Sequence, residues 1–296
     1  MIVHLIDGTY ELYRQHFGQA VRHRTPPPLA ATRGVVTSTL QLLAGGATHV
    51  AVSVDHVIES FRNDLYEGYK SSDGMEDEIL SQIPLMEEAL VALGVAVWPM
   101  VKYEADDGLA AGALLAAADA RVDQVQILTP DKDLGQVVLG NRIVQFDRRQ
   151  DLIINEDAVH TKFGVGPQSI ADWLGLVGDT ADGFPGLAGW GAKSASTVLG
   201  HYLHIENIPD DVEQWIQDGV TVRGAAKLAS TLSDQREMAA LFKLIATVVT
   251  DVADDVDLGD VDDWQWKGPT KDLAKIAASL EMADLVERTE RAMVGR

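Results

Sequence analysis

A chain of 296 residues with 46% hydrophobic content is long enough for one large domain, or for a domain plus a smaller appendage, around a substantial core. The absence of cysteine excludes disulfides, thiolate catalysis and cysteine-ligated zinc, so oxygen and imidazole are the remaining strong ligands and any metal is expected to be hard. A formal charge of −21 argues against nucleic acid unless clustered carboxylates are neutralised by cations. No apolar run reaches membrane-spanning length, so a cytoplasmic protein with no membrane contact is expected.

The chain opens with IVHLID (2–7), the first of five short apolar runs. THVAVSVD (48–55), VAVWPM (95–100), VQILTPD (125–131) and IVQFD (143–147) follow. Between them lie helix-length stretches, among them 33–44, 77–93 and 106–118, whose apolar residues recur at three and four. This alternation predicts βαβ units and a mainly parallel, buried sheet. Beyond about residue 155 the strand signal fades, and PQSIADWLGLVG, GAKSASTVLGHY, RGAAKLASTL and DQREMAALFKLIATVV predict a helical second half. The acidic stretch DVADDVDLGDVDD (251–263) reads as a solvated connector without a chemical role, ahead of a last helix near 270–292. The expected divisions are an α/β core over 1–155, a helical region over 156–260 and a C-terminal helical extension over 261–296.

Three predicted strands end in aspartate, and ligands of open α/β sheets gather outside the carboxyl ends of the strands. Asp7, Asp55 and Asp131 are therefore expected to converge. Glu104 and Asp107 lie three apart at the start of a predicted helix, with Asp106 beside them. Asp131-Lys132-Asp133 offers two acids where the chain leaves a strand, and Asp179 and Asp182 share the turn-like Gly178-Asp179-Thr180-Ala181-Asp182-Gly183. Each group alone is equally open to a local role: capping a helix, complementing its dipole, or forming a polar surface turn. Together, so many carboxylates would resist joint ionisation without cations. All-oxygen ligation suits Mg²⁺ or Mn²⁺, and two such ions roughly 4 Å apart can activate a water and stabilise a leaving oxygen in an in-line phosphoryl displacement.

In order and spacing, LIDGTYELYR, SVDHVIESFRNDLYEGYKSSD, YEADD, TPDKDLGQVV and GDTADGFPGLAGWGAKSA resemble the motifs of the bacterial 5′ nucleases and flap endonucleases. That family includes the amino-terminal nuclease domain of DNA polymerase I. The likeness covers about residues 1–250. It implies a PIN-like (5′ nuclease) α/β domain with a helical arch at 68–85, followed by a helical DNA-binding region whose helix-turn-helix (H3TH-like) element spans about 178–200. It also implies two or more Mg²⁺ or Mn²⁺ ions and cleavage of DNA at 5′ flaps, 5′ ends and single-strand to duplex junctions, leaving a 5′ phosphate.

Carried over by position, Asp7, Asp55, Glu104, Asp106 and Asp107 would surround one ion, and Asp131, Asp133, Asp179 and Asp182 the other. Arg14 and Lys70 would contact the scissile phosphate, and Tyr69 would offer a ring to a frayed base. Gly186, Gly189 and Gly191 would let backbone approach phosphate, in relatives with the help of a bound potassium ion. Lys193, Arg223 and Lys227 would touch phosphates without reading sequence. Departures from the pattern are Asp73 where many relatives have arginine, Gly183-Phe184 in place of Asn-Ile, and Ala192 in place of glutamate. No polymerase segment follows, and a free-standing monomeric nuclease is expected.

Two other classes stay open on the residues. A haloacid-dehalogenase-like phosphomonoesterase would use Asp131 as nucleophile and Asp133 as acid, which leaves the Glu104 group and the glycine-rich loop unused. A junction-binding or toxin-like PIN protein without flap specificity would need lost ligands, and all nine acids are present.

Overall fold

The computed structural model describes residues 1–22 and 27–294. In chain order they form β1 (Ile2–Asp7), α1 (Gly8–Arg22), α2 (Ala30–Ala44), β2 (His49–Asp55), α3 (Phe61–Leu65), α4 (Asp77–Leu80), α5 (Ile83–Leu93), β3 (Ala96–Met100), α6 (Ala105–Ala118) and β4 (Gln124–Leu128). There follow β5 (Ile143–Asp147), β6 (Leu152–Ile154), α7 (Glu156–Phe163), α8 (Ile170–Val177), α9 (Ala192–Tyr202), α10 (Val212–Gln217), α11 (Ala225–Asp234), α12 (Arg236–Ala246), α13 (Leu273–Ser279) and α14 (Leu285–Val294). No helix among the described residues is long and apolar enough to cross a membrane. The chain divides into two compact units: residues 1–60, 72–129 and 249–296 form the first, and 61–71 with 130–248 the second. The expected divisions at 155 and 260 follow chain order, whereas in these compact units the chain leaves the first and later re-enters it.

In the first unit, strands run β3-β2-β1-β4, all parallel, with Val3 opposite His49, Ile2 opposite Gln124 and Ala51 opposite Ala96. The apolar runs are continuous because these strands are buried rather than half-exposed, as Val50, Ala51, Val52 and Val54 are. The alanine-rich α6, a strong helix former, packs on all four strands. The expected strand 125–131 stops at Leu128, so Asp131 lies beyond the strand rather than at its last residue. The expected helix 77–93 is two helices, because Pro84 in the first turn of α5 has no N–H for the carbonyl of Leu80. The expected last helix is likewise broken between α13 and α14, where Glu281 takes φ of 52°.

The acidic stretch 251–263 does more than connect. Asp255 Oδ2 accepts the backbone N–H groups of Val101, Lys102 and Tyr103 at 3.1, 2.9 and 3.0 Å, bracing the loop that leads to Glu104. After it, Trp264 packs edge-on to Trp98 at 5.1 Å, and its carbonyl accepts from Val50 N. The segment expected as an arch is divided between the units at residue 72. Its part in the first unit is held to α1 and α2: Ile79 is buried, Gln82 Oε1 accepts from Thr32, and Glu76 meets His16 at 3.2 Å.

The second unit holds the antiparallel β5–β6 pair, the latter unforeseen, and helices α3 and α7 to α12 around a core that includes Trp215, Phe184 and Phe242. Helix α3 docks on α12 through Arg62, which is buried and donates to the carbonyls of Ile245 (2.8 Å) and Thr247 (2.9 Å), groups at a helix end that lack intrahelical partners. Arg62→Met is expected to lower stability by about 2–4 kcal/mol, because buried carbonyls lose charged donors. Urea denaturation checks this, and a loss of unfolding free energy of less than about 0.3 kcal/mol would show that α3 docks without Arg62.

Candidate metal centre

The predicted strand-end convergence is present in the first unit for Asp7 and Asp55, which end adjacent parallel strands. Both carboxylates also do local work. Asp7 Oδ1 accepts Tyr10 N–H at 2.8 Å at the start of α1, and its Oδ2 accepts the Thr129 hydroxyl at 3.0 Å. Asp55 Oδ1 accepts Ala105 N–H at 2.6 Å, which ties the end of β2 to the first turn of α6, between Glu104 and Asp106. Glu104 is buried at the N-cap of α6 and accepts Ser60 Oγ–H at 2.7 Å.

Asp107 is fully buried, its Oδ2 accepts Glu104 N–H at 2.9 Å and its Oδ1 accepts Val249 N–H at 2.7 Å. These bonds fix the start of α6 and leave further lone pairs on both oxygens. The five acids of this unit do not bring three ligand atoms within 4.8 Å of one another among the described residues.

The second unit does bring its acids together. Carboxylate oxygens of Asp133, Asp179 and Asp182 lie within 4.8 Å of one another. Asp131 stands beside them, its Oδ1 accepting Asp133 N–H at 3.0 Å and its carbonyl accepting from Gln145 Nε2. Asp133 opens a single 3₁₀ turn (Asp133–Val137), is 8% exposed, and its Oδ1 has no hydrogen-bond partner. Burial, then the charges of Asp131, Asp182 and Asp179, push its carboxyl well above the usual aspartate range, against the opposing pull of Lys132. A divalent ion fits such a donor set: hard oxygens, a buried orphaned acceptor, and a charge excess that a cation relieves.

Two ammonium groups already meet this cluster. Lys132 Nζ pairs with Asp179 Oδ2, and Lys70 Nζ pairs with Asp182 Oδ1 at 3.0 Å. Burial disfavours the charge on Lys132, but Asp179, Asp133 and Asp131 outweigh it and hold the ammonium above the ordinary lysine range. Lys70 is fixed at the main chain as well, its N–H donating to the Asp182 carbonyl at 2.9 Å and its carbonyl accepting from Asn63 Nδ2 at 2.8 Å. Gly183 permits that approach: at φ of 85° it brings its Cα so near Gly68 that an added Cβ would sit 2.1 Å from the Gly68 carbonyl oxygen. The departure Gly183-Phe184 is thereby explained, since Phe184 is buried and stacks on Phe242 at 5.6 Å.

Several other expected residues are placed or corrected. Arg14 makes a two-point contact with Glu11, 2.8 Å from Nε and 2.5 Å from Nη2. Burial works to raise the Glu11 carboxyl, but hydrogen bonds from Arg14, Ser38 and Gln15 hold it below the usual range. Tyr69 is corrected: its ring is 6% exposed within the core of the second unit, with Lys70 Nζ 5.5 Å from its centroid, so it offers no stacking platform. Chain packing also demands glycine at Gly186, because the space a Cβ would take is filled by Gly178 N at 2.4 Å. Gly189 and Gly191 are more open, Gly191 being the N-cap of α9 with nothing within 4 Å of a Cβ. Lys193, Arg223 and Lys227 are exposed, near the starts of α9 and α11.

The sequence reading missed Glu11 as the holder of Arg14, although the i,i+3 spacing signalled it, and missed Lys132 as a partner of Asp179, which no spacing signals. It also missed Asp172, His204 and Glu206, a buried-to-exposed acidic group. There Asp172 accepts from Ile205 N (2.8 Å), His204 Nδ1 (2.9 Å) and Lys243 Nζ (2.8 Å), a satisfied tie between α8, the 204–206 turn and α12.

Residues 2–164 match the family described as 5'-3' exonuclease, N-terminal resolvase-like domain, and residues 165–272 match 5'-3' exonuclease, C-terminal SAM fold. The 5'-3' exonuclease of Aquifex aeolicus is 32% identical over 223 residues, covering 72% of this chain and 74% of that protein. That of Buchnera aphidicola is 27% identical over 261 residues, covering 87% and 90%. DNA polymerase I of Bacillus caldotenax is 30% identical over 263 residues, but the chain spans only 29% of its length. Among solved structures, bacteriophage T5 D15 protein co-crystallised with metal ions aligns at a TM-score of 0.68 with 16% identity, covering 96% of this chain and 100% of that one. The catalytic core of Rad2 in complex with DNA substrate aligns at 0.63 with 15% identity, covering 99% and 92%. At these identities the structures speak for the fold alone, a resolvase-like α/β domain followed by a SAM-like helical one.

The raised carboxyl of Asp133 has a stability signature. A folded-state value above the unfolded one means that the unfolded chain releases this proton first, so the contribution is intact below about pH 4 and is lost as pH rises through the folded-state value. In chelator, Asp133→Asn should therefore lose less stability than the native chain as pH rises from about 4 through the folded-state value. Excess Mn²⁺ should reverse the order at neutral pH. Parallel melting curves check this, and equal pH slopes for the two proteins would show that Asp133 is not strained in the absence of metal.

Proposed function

The chain belongs to the 5'-3' exonuclease family, and on that premise we propose that it is a structure-specific, metal-dependent 5′ nuclease. It hydrolyses DNA phosphodiesters at 5′ flaps and 5′ ends by a two-metal, in-line displacement that leaves a 5′ phosphate. The observation that carries this reading is the buried Asp133, Asp179 and Asp182 cluster with its orphaned Asp133 oxygen, at the positions of two family motifs. In this reading Asp131, Asp133, Asp179 and Asp182 hold one Mg²⁺ or Mn²⁺, and Asp7, Asp55, Glu104, Asp106 and Asp107 hold another, directly or through water. Such ions, when bound, lower the pKa of a coordinated water and neutralise charge on the leaving oxygen.

The remaining roles fall to the chain's own cations. Arg14, oriented by Glu11, and Lys70, held at Asp182, stabilise developing charge on the scissile phosphate. The open start of α9 at Gly191, with Gly189 and Lys193, receives the backbone of the duplex, and Arg223 and Lys227 extend that contact. A potassium ion at the loop 186–191 belongs to the same reading, as do a monomeric state and a cytoplasmic location. The −21 charge favours substrate only where metal and these few cations stand, and binding is expected to be strongly salt-dependent.

With Mg²⁺, the protein should release an oligonucleotide from a 5′-flapped duplex and should not turn over a small phosphate ester. Turnover of the ester without oligonucleotide release would establish the phosphomonoesterase instead. Asp133→Asn and Asp179→Asn should each lower flap cleavage by about 10²-fold or more, and cleavage left intact in both would remove the second-unit cluster from the active site. Mapping products on flap, gap, nick and blunt duplexes in parallel assigns the balance between exonuclease and endonuclease.

A further inference from the structure

Four aspartates crowd the second-unit cluster, and two lysines meet them. The charge those two ammonium groups bring equals that of one divalent ion. Lys132 is the more telling of the two. It lies between Asp131 and Asp133 in the chain, yet its ammonium crosses to Asp179, a carboxylate on a different segment that is only 5% exposed. Lys132 itself keeps 31% of its side chain accessible, which leaves it a path into solvent. Lys70, by contrast, is held by two main-chain hydrogen bonds.

We propose that Lys132 is a positioning residue that acts as a resident counter-ion: it holds Asp179 in place while the cluster is empty of metal and must give up that carboxylate when a divalent ion binds. The inference rests on the metal-site reading above and adds a competitor to it. An ammonium on Asp179 and a divalent ion at the same carboxylate compete, since both draw on its negative charge and the two cations repel. The native site therefore binds metal less tightly than it would without Lys132, and in exchange Asp179 is not left uncompensated when the site is empty. A purely structural lysine would have the opposite signature, because removing it would loosen the ligands and weaken the metal.

The test is a Mn²⁺ titration followed by calorimetry, with the component lost in Asp133→Asn taken as the second-unit site. Lys132→Met should bind Mn²⁺ at that component about tenfold more tightly than the native chain, and Lys132→Arg, which keeps the charge, should stay near native. Unchanged or weaker binding by Lys132→Met overturns the proposal. A second measurement needs no variant: acetylation of native Lys132, followed by peptide mass spectrometry, should rise several-fold on saturation with Mn²⁺. An unaltered rate overturns the proposal even if Lys132→Met fails to fold. If the native chain shows no Mn²⁺ component that Asp133→Asn removes, the metal-site reading itself falls. If that component is present and Lys132 does not respond, only the counter-ion falls.

Discussion

Like charges crowded out of water are the constraint on which the second unit depends. Bringing Asp133, Asp179 and Asp182 within reach of one ion forces each to lose solvent and to face the others, and the raised carboxyl of Asp133 registers that conflict. Much of the local structure is explained as its containment. Lys132 and Lys70 each take one carboxylate, Asp131 turns an oxygen to the backbone of Asp133, and Gln145 clamps the carbonyl of Asp131. The tight approach of Gly183 to Gly68 sets the main chain of Lys70 against Asp182. One oxygen, Asp133 Oδ1, remains without a donor, and in a protein interior such an acceptor is costly unless something else satisfies it.

The first unit handles its acids differently. Asp7, Asp55 and Asp107 accept backbone N–H groups, and Asp7 also accepts the Thr129 hydroxyl. Backbone donors carry only partial charge, so they orient a carboxylate without neutralising it. Helix α6 gains order at its first turn from the same acids that the proposed function assigns to a cation, and Asp107, with no exposure and an N–H donated to each oxygen, is the most deeply held of them.

Much of this was legible in the sequence because it is written in local patterns. Buried parallel strands appear as short continuous apolar runs, and β1, β2, β3 and β5 fall within about a residue of where those runs stand. The helical second half was legible for the same reason, and Asp7, Asp55, Glu104 and Asp107 stand where two strand ends and a helix start put them. What was illegible depends on contacts distant in the chain. Nothing local says that Val249 donates to Asp107 or that Asp255 braces residues 101–103. Tyr69 reads as a polar aromatic beside a lysine, and only the packed core shows that its ring is taken. Nor does anything local say that the backbone of Gly178 stands where a side chain of Gly186 would be. The break before α5 could have been read from Pro84, whose chemistry is local.

The long return of the chain into the first unit sets an order of assembly. Residues 249–296 belong with 1–60 and 72–129, and they bring the N–H of Val249 to Asp107 and the carboxylate of Asp255 to the loop before Glu104. A ribosome emits the strand ends and the start of α6 long before either of these partners. The acidic edge of the first unit thus cannot reach its finished shape co-translationally until nearly the whole polypeptide has been made, whereas every residue of the second unit has by then emerged.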